Sequence, residues 1–196
     1  MGQRAGGFGI GAKWGALAGV GLALCGCASN PATIYDLTAA RPPAARPLRA
    51  QIRIAQPVAT LDLDSERILV RETPLTLATL PGARWPESLA SLFRARLVAS
   101  FQNAGLARYL AGGGATADYE LDLDIRAFEF EPQKSQVRVD VAARIVSVLT
   151  GRVAAVEIFT AAAPVTSPDA AGVAAALDQA STAMMSKLVA FVARSI

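Results

Sequence analysis

Histidine is absent from this chain of 196 residues, and that one gap removes several chemistries together. Ser-His-Asp and Cys-His catalysis need imidazole as the base, and His-based metal sites need it as a ligand. Only two cysteines occur, Cys25 and Cys27, both in one short stretch near the N-terminus. No Lys/Arg cluster with interleaved aromatics is present, so nothing argues for nucleic acid binding. Carboxylate chemistry is what remains, with Asp122 and Asp124 as the obvious pair. Two residues apart on a strand, they share a face, but they sit in a strict polar/apolar alternation that suits a solvated surface. The expectation is therefore a protein that is not an enzyme and that carries neither metal nor cofactor.

A long hydrophobic run is also lacking. Two isolated cations, Arg4 and Lys13, precede an uncharged Gly- and Ala-rich stretch from Trp14 to Leu24 that is short for a bilayer span. A basic start, a short apolar middle and small residues at a cut site form the layout of a secretory signal peptide. The sequence Leu24-Cys25-Gly26-Cys27 resembles the lipobox of bacterial lipoproteins. That resemblance implies cleavage before Cys27, whose sulfur then carries a diacylglyceryl group and whose new amino group is acylated. Cys27 is thus the expected lipid attachment site. Because one acyl chain holds a protein to a membrane only marginally, a triacylated cysteine makes a firm anchor. Ala28 and Ser29 follow it, where the resemblance associates an aspartate with retention in the inner membrane, so the expected location is the periplasmic face of the outer membrane.

Removing residues 1–26 from the 196 leaves 170, enough for one domain with a real core. Arg4 and Lys13 leave too, so the formal charge falls from +3 to +1. With Cys27 lipidated no thiol is left for a disulfide, and the fold stands on packing. Residues 27–49 read as a lipidated, Pro/Ala-rich tether, with Arg41-Pro42-Pro43-Ala44-Ala45-Arg46-Pro47 in extended polyproline geometry. Thr33-Ile34-Tyr35-Asp36-Leu37 is a strand-like island inside it; if it docks, the free tether shrinks to a few residues near Cys27.

The expected domain covers 50–196. Alternation predicts strands or strand ends at 51–55 and 60–64, and paired strands of a hairpin or a sheet-edge excursion from 68–71 and 75–78 around Glu72-Thr73-Pro74. A helix is expected over 86–104, with Pro86 in its first turn, Glu87 at its positive end and Gly105 as a left-handed cap. A half-buried strand starts at Tyr119, its phase slipping at Ala127-Phe128 as a bulge requires. The loop 131–135 joins it to a strand over 137–145, and Thr150-Gly151-Arg152 turns into a last strand at 153–160. Ser167-Pro168-Asp169 supplies an N-cap, a first-turn proline and an acidic first turn for a helix over 168–195. The order predicts an α+β fold: a small, mainly antiparallel sheet with two helices packed on one face. Trp85, Arg71 and the wide apolar side of the last helix at Met185, Val189 and Val192 are the candidate contacts for a partner or a second copy, although core packing is the commoner use of such residues.

In order and spacing, the lipobox, Tyr35-Asp36-Leu37, Leu63-Asp64 with Ile68 and Arg71, Trp85-Pro86-Glu87-Ser88-Leu89, the two long strands, the Gly151 turn and the terminal helix resemble one family. It is the auxiliary lipoprotein component of ABC-type transport systems, the group that includes the PqiC-like lipoproteins. The resemblance implies a non-enzymatic accessory to an ABC transporter whose periplasmic MCE-type subunit handles lipid between the membranes. A homo-oligomer would suit such a docking cap. The other reading is an envelope assembly lipoprotein, a secretin pilot or a lipopolysaccharide-export helper, since a small sheet-and-helix scaffold serves many functions.

Overall fold

The computed structural model describes residues 2, 31–112 and 114–196; the lipobox and Cys27 lie outside them. The longest strands form the centre. Strand β6 (Tyr119–Glu131) pairs antiparallel with β7 (Gln136–Ser147), and β7 with β8 (Val153–Pro164). The expected bulge falls between Ile125 and Ala127 in the β6–β7 register. It carries the apolar parity from Leu121, Leu123 and Ile125 over to Phe128 and Phe130, so that all five lie on one face.

The other side of β6 differs from the expectation of a mainly antiparallel sheet. Three successive segments, β2 (Ile52–Ile54), β3 (Val58–Ala59) and β4 (Arg67–Thr73), line up along it, each parallel to β6. The sheet is mixed because the chain keeps one direction from β2 to β4 and does not turn back. Strand β5 (Thr76–Arg84) returns as a hairpin on β4, and β1 (Thr33–Ile34) runs parallel to β5. Among the described residues eight strands result, in the order β1-β5-β4-β6-β7-β8, with β2 and β3 also on β6. Residues 60–64, expected as a strand or strand end, form a turn instead. Leu61 there is almost fully exposed, while Leu63 is buried.

Among the described residues two α-helices complete the fold: α1 (Leu89–Asn103) and α2 (Ala170–Ser195). Phe93 of α1 meets Phe128 edge to face at 6.5 Å, Trp85 meets the same ring at 5.9 Å, and Phe191 of α2 meets Phe159 at 5.6 Å. The register joins Ile125 to Val141 and Val141 to Phe159, which places Phe128 and Phe159 on the same apolar face. Both helices start later than the sequence suggests. Pro86 and Glu87 precede α1, and its cap, Ser88, makes no side-chain capping bond. Its first donors go to the 64–65 turn: Leu89 N donates to the Ser65 carbonyl at 3.2 Å and Ala90 N to Asp64 Oδ1 at 3.2 Å. For α2 the cap is Asp169 rather than Ser167; its Oδ1 accepts from Gly172 N at 2.7 Å, and Ser167 Oγ donates to its Oδ2. Gly105 has φ +80°, the left-handed geometry expected after α1.

The island at 33–37 docks, and so does the rest of the described tether. Leu37, Ala40 and Leu48 enter the core. Thr38 N donates to Asp178 Oδ1 at 2.6 Å, Ala40 N to Ser100 Oγ at 2.8 Å, and Asn103 Nδ2 to the Ala40 carbonyl at 2.9 Å. Residues 31–49 are therefore a strap that reaches both helices, including the Pro/Ala-rich stretch for which the sequence suggested extended polyproline geometry after a docking island.

Candidate functional site

Arg71 leads to the most developed site. The bulge that moves the apolar residues of β6 to even positions turns Glu129 and Glu131 toward the opposite face, where carboxylates need partners. Arg71, from the neighbouring β4, supplies one. Its Nε donates to Glu129 Oε1 at 2.7 Å and its Nη2 to Oε2 at 2.9 Å, a bidentate pair in which Glu129 is almost completely buried. Donating to Glu129 raises the Arg71 pKa above its ordinary value against the opposing effect of burial. The guanidinium is thus a permanent cation in the wall of the site.

Glu131 is held by a second set of donors. Lys134 Nζ lies 3.0 Å from Oε2, Gln136 Nε2 donates to Oε2 at 3.0 Å, and Arg138 Nη1 is 3.9 Å from Oε1. Burial alone would raise this carboxyl, but the bonds from Gln136 and Lys134, with the charges of Lys134 and Arg138, outweigh it and lower its pKa. Arg138 also reaches Asp140 Oδ2 at 3.6 Å. The 3₁₀ turn Pro132–Lys134 is fixed to the hairpin by Gln133 Nε2, which donates to the Glu72 carbonyl at 2.8 Å.

Between that turn and the β4–β5 hairpin lies an open cavity of about 430 Å³. Four cations line it, Arg71, Arg126, Lys134 and Arg138, against three carboxylates, Glu72, Glu129 and Glu131. Arg126 is the bulged residue and is exposed. Among the described residues it makes neither an ion pair nor a side-chain hydrogen bond, unlike the three other cations. Among the described residues the site therefore presents one unpaired guanidinium, Arg126, and one unpaired carboxylate, Glu72, above a floor of paired charges, and its lining carries one more cation than carboxylates. That arrangement suits binding an anionic group, chiefly a carboxylate or phosphate. The sequence showed Arg71 and the phase slip, but not that the bulged residue would face this cavity, because the β4–β6 pairing is long-range.

The remaining contact candidates lie elsewhere. Trp85, Met185, Val189 and Val192 are each at most 1% exposed. Burying a side chain of this size contributes about 1.5–3 kcal/mol, so drawing out the three on α2 would cost about 5–9 kcal/mol. That is comparable to the whole stability of a typical domain. These four pack in the core of the described fold, and of them only Val189 borders a surface groove, opposite Pro42 and Pro43. Asp122 pairs with Arg144 at 3.8 Å across β6–β7, and Asp124 is exposed opposite Ala142. The described residues contain no group of three His, Cys, Asp or Glu placed to hold a metal, and no helix long and apolar enough to cross a membrane.

A family model described as ABC-type transport auxiliary lipoprotein component matches residues 35–189. Protein XCC0632 from Xanthomonas campestris, whose crystal structure is known, is 32% identical; the match covers 84% of this chain and 96% of that one, with a TM-score of 0.77. An uncharacterised protein of Bradyrhizobium diazoefficiens, bll6063, is 30% identical over 183 residues, 89% of this chain. The chain spans about half the length of that relative, 48%. The hypothetical protein CT253 from Chlamydia trachomatis shares the fold at 11% identity, with a TM-score of 0.50 over 75% of this chain and 98% of that one.

Proposed function

This chain belongs to the ABC-type transport auxiliary lipoprotein component family, and from that membership we propose that it is a non-enzymatic docking accessory of a lipid-transporting ABC system with an MCE-type subunit. In this reading Cys27 carries the lipid and holds the domain at the periplasmic face of the outer membrane. The domain then receives the envelope-spanning part of the transporter. The observation that carries the docking role is the cavity beside Arg71, with Arg126 free above it. An acidic side chain of the transporter that enters this cavity gains a charge-assisted hydrogen bond without breaking an existing pair.

The strap sets the working distance. Five residues, and so six residue-to-residue steps, separate Cys27 from Thr33, where β1 begins, and an extended chain reaches at most about 3.3–3.6 Å per step. The domain would therefore ride within about 20 Å of its anchor, closer than a free polyproline tether would allow.

The test is co-purification of transporter subunits with the tagged full-length protein from membranes, compared among wild type, Cys27→Ala and Arg126→Glu. The reading predicts recovery of an MCE subunit or its ATPase with wild type, loss of membrane association in Cys27→Ala, and reduced recovery in Arg126→Glu at unchanged protein level. Wild-type preparations that contain a secretin or lipopolysaccharide-export component in place of transporter subunits would overturn it.

A further inference from the structure

A second groove, remote from the charged cavity in sequence and lining, lies where the strap crosses α2. Pro42, Pro43 and Ala45 form one wall and Val189, Ala190 and Ala193 the other, around a slot of about 370 Å³. At its end the slot continues into a larger cavity of about 820 Å³, with which it shares Arg46, Ala193 and Arg194 and which adds Arg49. Arg194 is engaged by Glu157 and lies over the Phe191 ring at 5.2 Å. Arg46 and Arg49 are exposed, and neither has an acidic partner among the described residues. The result is a narrow apolar slot that opens onto two uncommitted cations.

The walls choose between occupants. A peptide laid in the slot would bring backbone N–H and C=O groups that need partners. Pro42 and Pro43 offer carbonyl acceptors but no N–H, the α2 backbone is bonded within its own helix, and the Ser186 hydroxyl is already donated to the Thr182 carbonyl, so these walls are poor in the donors that a peptide's carbonyls need. A hydrocarbon chain needs no hydrogen bonds, so the same walls suit it. At the mouth, Arg46 and Arg49 fit a phosphate. We infer that this groove binds one acyl chain of an anionic phospholipid, with the headgroup phosphate at Arg46 and Arg49. The inference rests on the slot and its cations and does not depend on the docking role of the Arg126 cavity.

The experiment uses the full-length lipidated protein in phosphatidylcholine vesicles containing phosphatidylglycerol with a diazirine in one acyl chain. After irradiation the adducts are mapped by peptide mass spectrometry. The proposal predicts adducts on segments 42–45 and 189–193. Ala190→Trp, an exposed position, fills the slot and should lower labelling there about tenfold, with an unchanged thermal midpoint showing that the fold survives. Arg46→Glu with Arg49→Glu should lower labelling by the phosphatidylglycerol probe but not by a diazirine phosphatidylcholine. Equal labelling of wild type and Ala190→Trp would overturn the slot. Equal labelling by both probes in wild type would overturn the headgroup assignment. Labelling that rises in Cys27→Ala would mean the protein's own anchor chain fills the groove, and would overturn the free lipid as occupant.

Discussion

Glu129 is the residue on which the charged site depends. A carboxylate this buried is tolerable because Arg71 meets both its oxygens; remove the arginine and the charge is stranded. Arg71→Ala should therefore lower unfolding free energy by about 3–5 kcal/mol, measured by urea titration. The paired change Arg71→Leu with Glu129→Leu should recover most of that loss, since an ion pair replaced by apolar groups of similar volume is often neutral. A double variant as unstable as the single one would refute the assignment of the cost to the stranded carboxylate. Arg126 is the contrast. It has no counter-ion to strand, so Arg126→Ala should leave stability unchanged while weakening partner recovery. This difference between two arginines of one cavity could not be read from sequence, where both simply occupy strand positions.

At the scale of elements, the start of α2 carries a prediction against helix propensity. Alanine is favoured over glycine inside a helix by about 1 kcal/mol, yet a Cβ at Gly172 would stand 2.1 Å from the Ser167 carbonyl oxygen. Gly172→Ala should lower the thermal midpoint, and a rise would show that the 167–169 turn yields freely. The strap makes a second prediction. Arg96 donates to Asp36 at 2.5 Å and, as the main cause, lowers the Asp36 pKa. The stabilisation is complete above the unfolded carboxylate value of about 3.9 and is lost as pH falls through the lower folded value. Hydrogen exchange at the Thr38 and Ala40 amides should thus quicken only below that range, and in Arg96→Gln it should quicken at neutral pH. Element boundaries follow the same logic of local and distant causes. The alternation from Tyr119, the slip at Ala127-Phe128 and the glycine after α1 are local signals, and they were legible. The strap, the Asp64 contribution to α1 and the parallel run of β2, β3 and β4 depend on residues far apart in sequence. Strand alternation carries no information about which way a neighbour runs.

For the whole molecule, the mixed sheet gathers the buried apolar parity of β6 and β7 on one face and uses the other to build the charged cavity beside the β4–β5 hairpin. Family membership and the docked strap together favour a domain held close to a membrane, with its surface free to meet a transporter. The lipobox and Trp85-Pro86-Glu87 made the family legible in the sequence. The cavity was not, because the hairpin, the bulge and the Pro132–Lys134 turn come together only when β4 pairs with β6. The measurement that tests the account most directly is photo-crosslinking in living cells with a photoreactive amino acid placed at Arg126, and at exposed Lys187 on α2 as the control. The account predicts an adduct with a transporter subunit from position 126 that depends on Cys27, and little from position 187. A transporter adduct from 187 alone, or adducts from 126 only to unrelated envelope proteins, would contradict it.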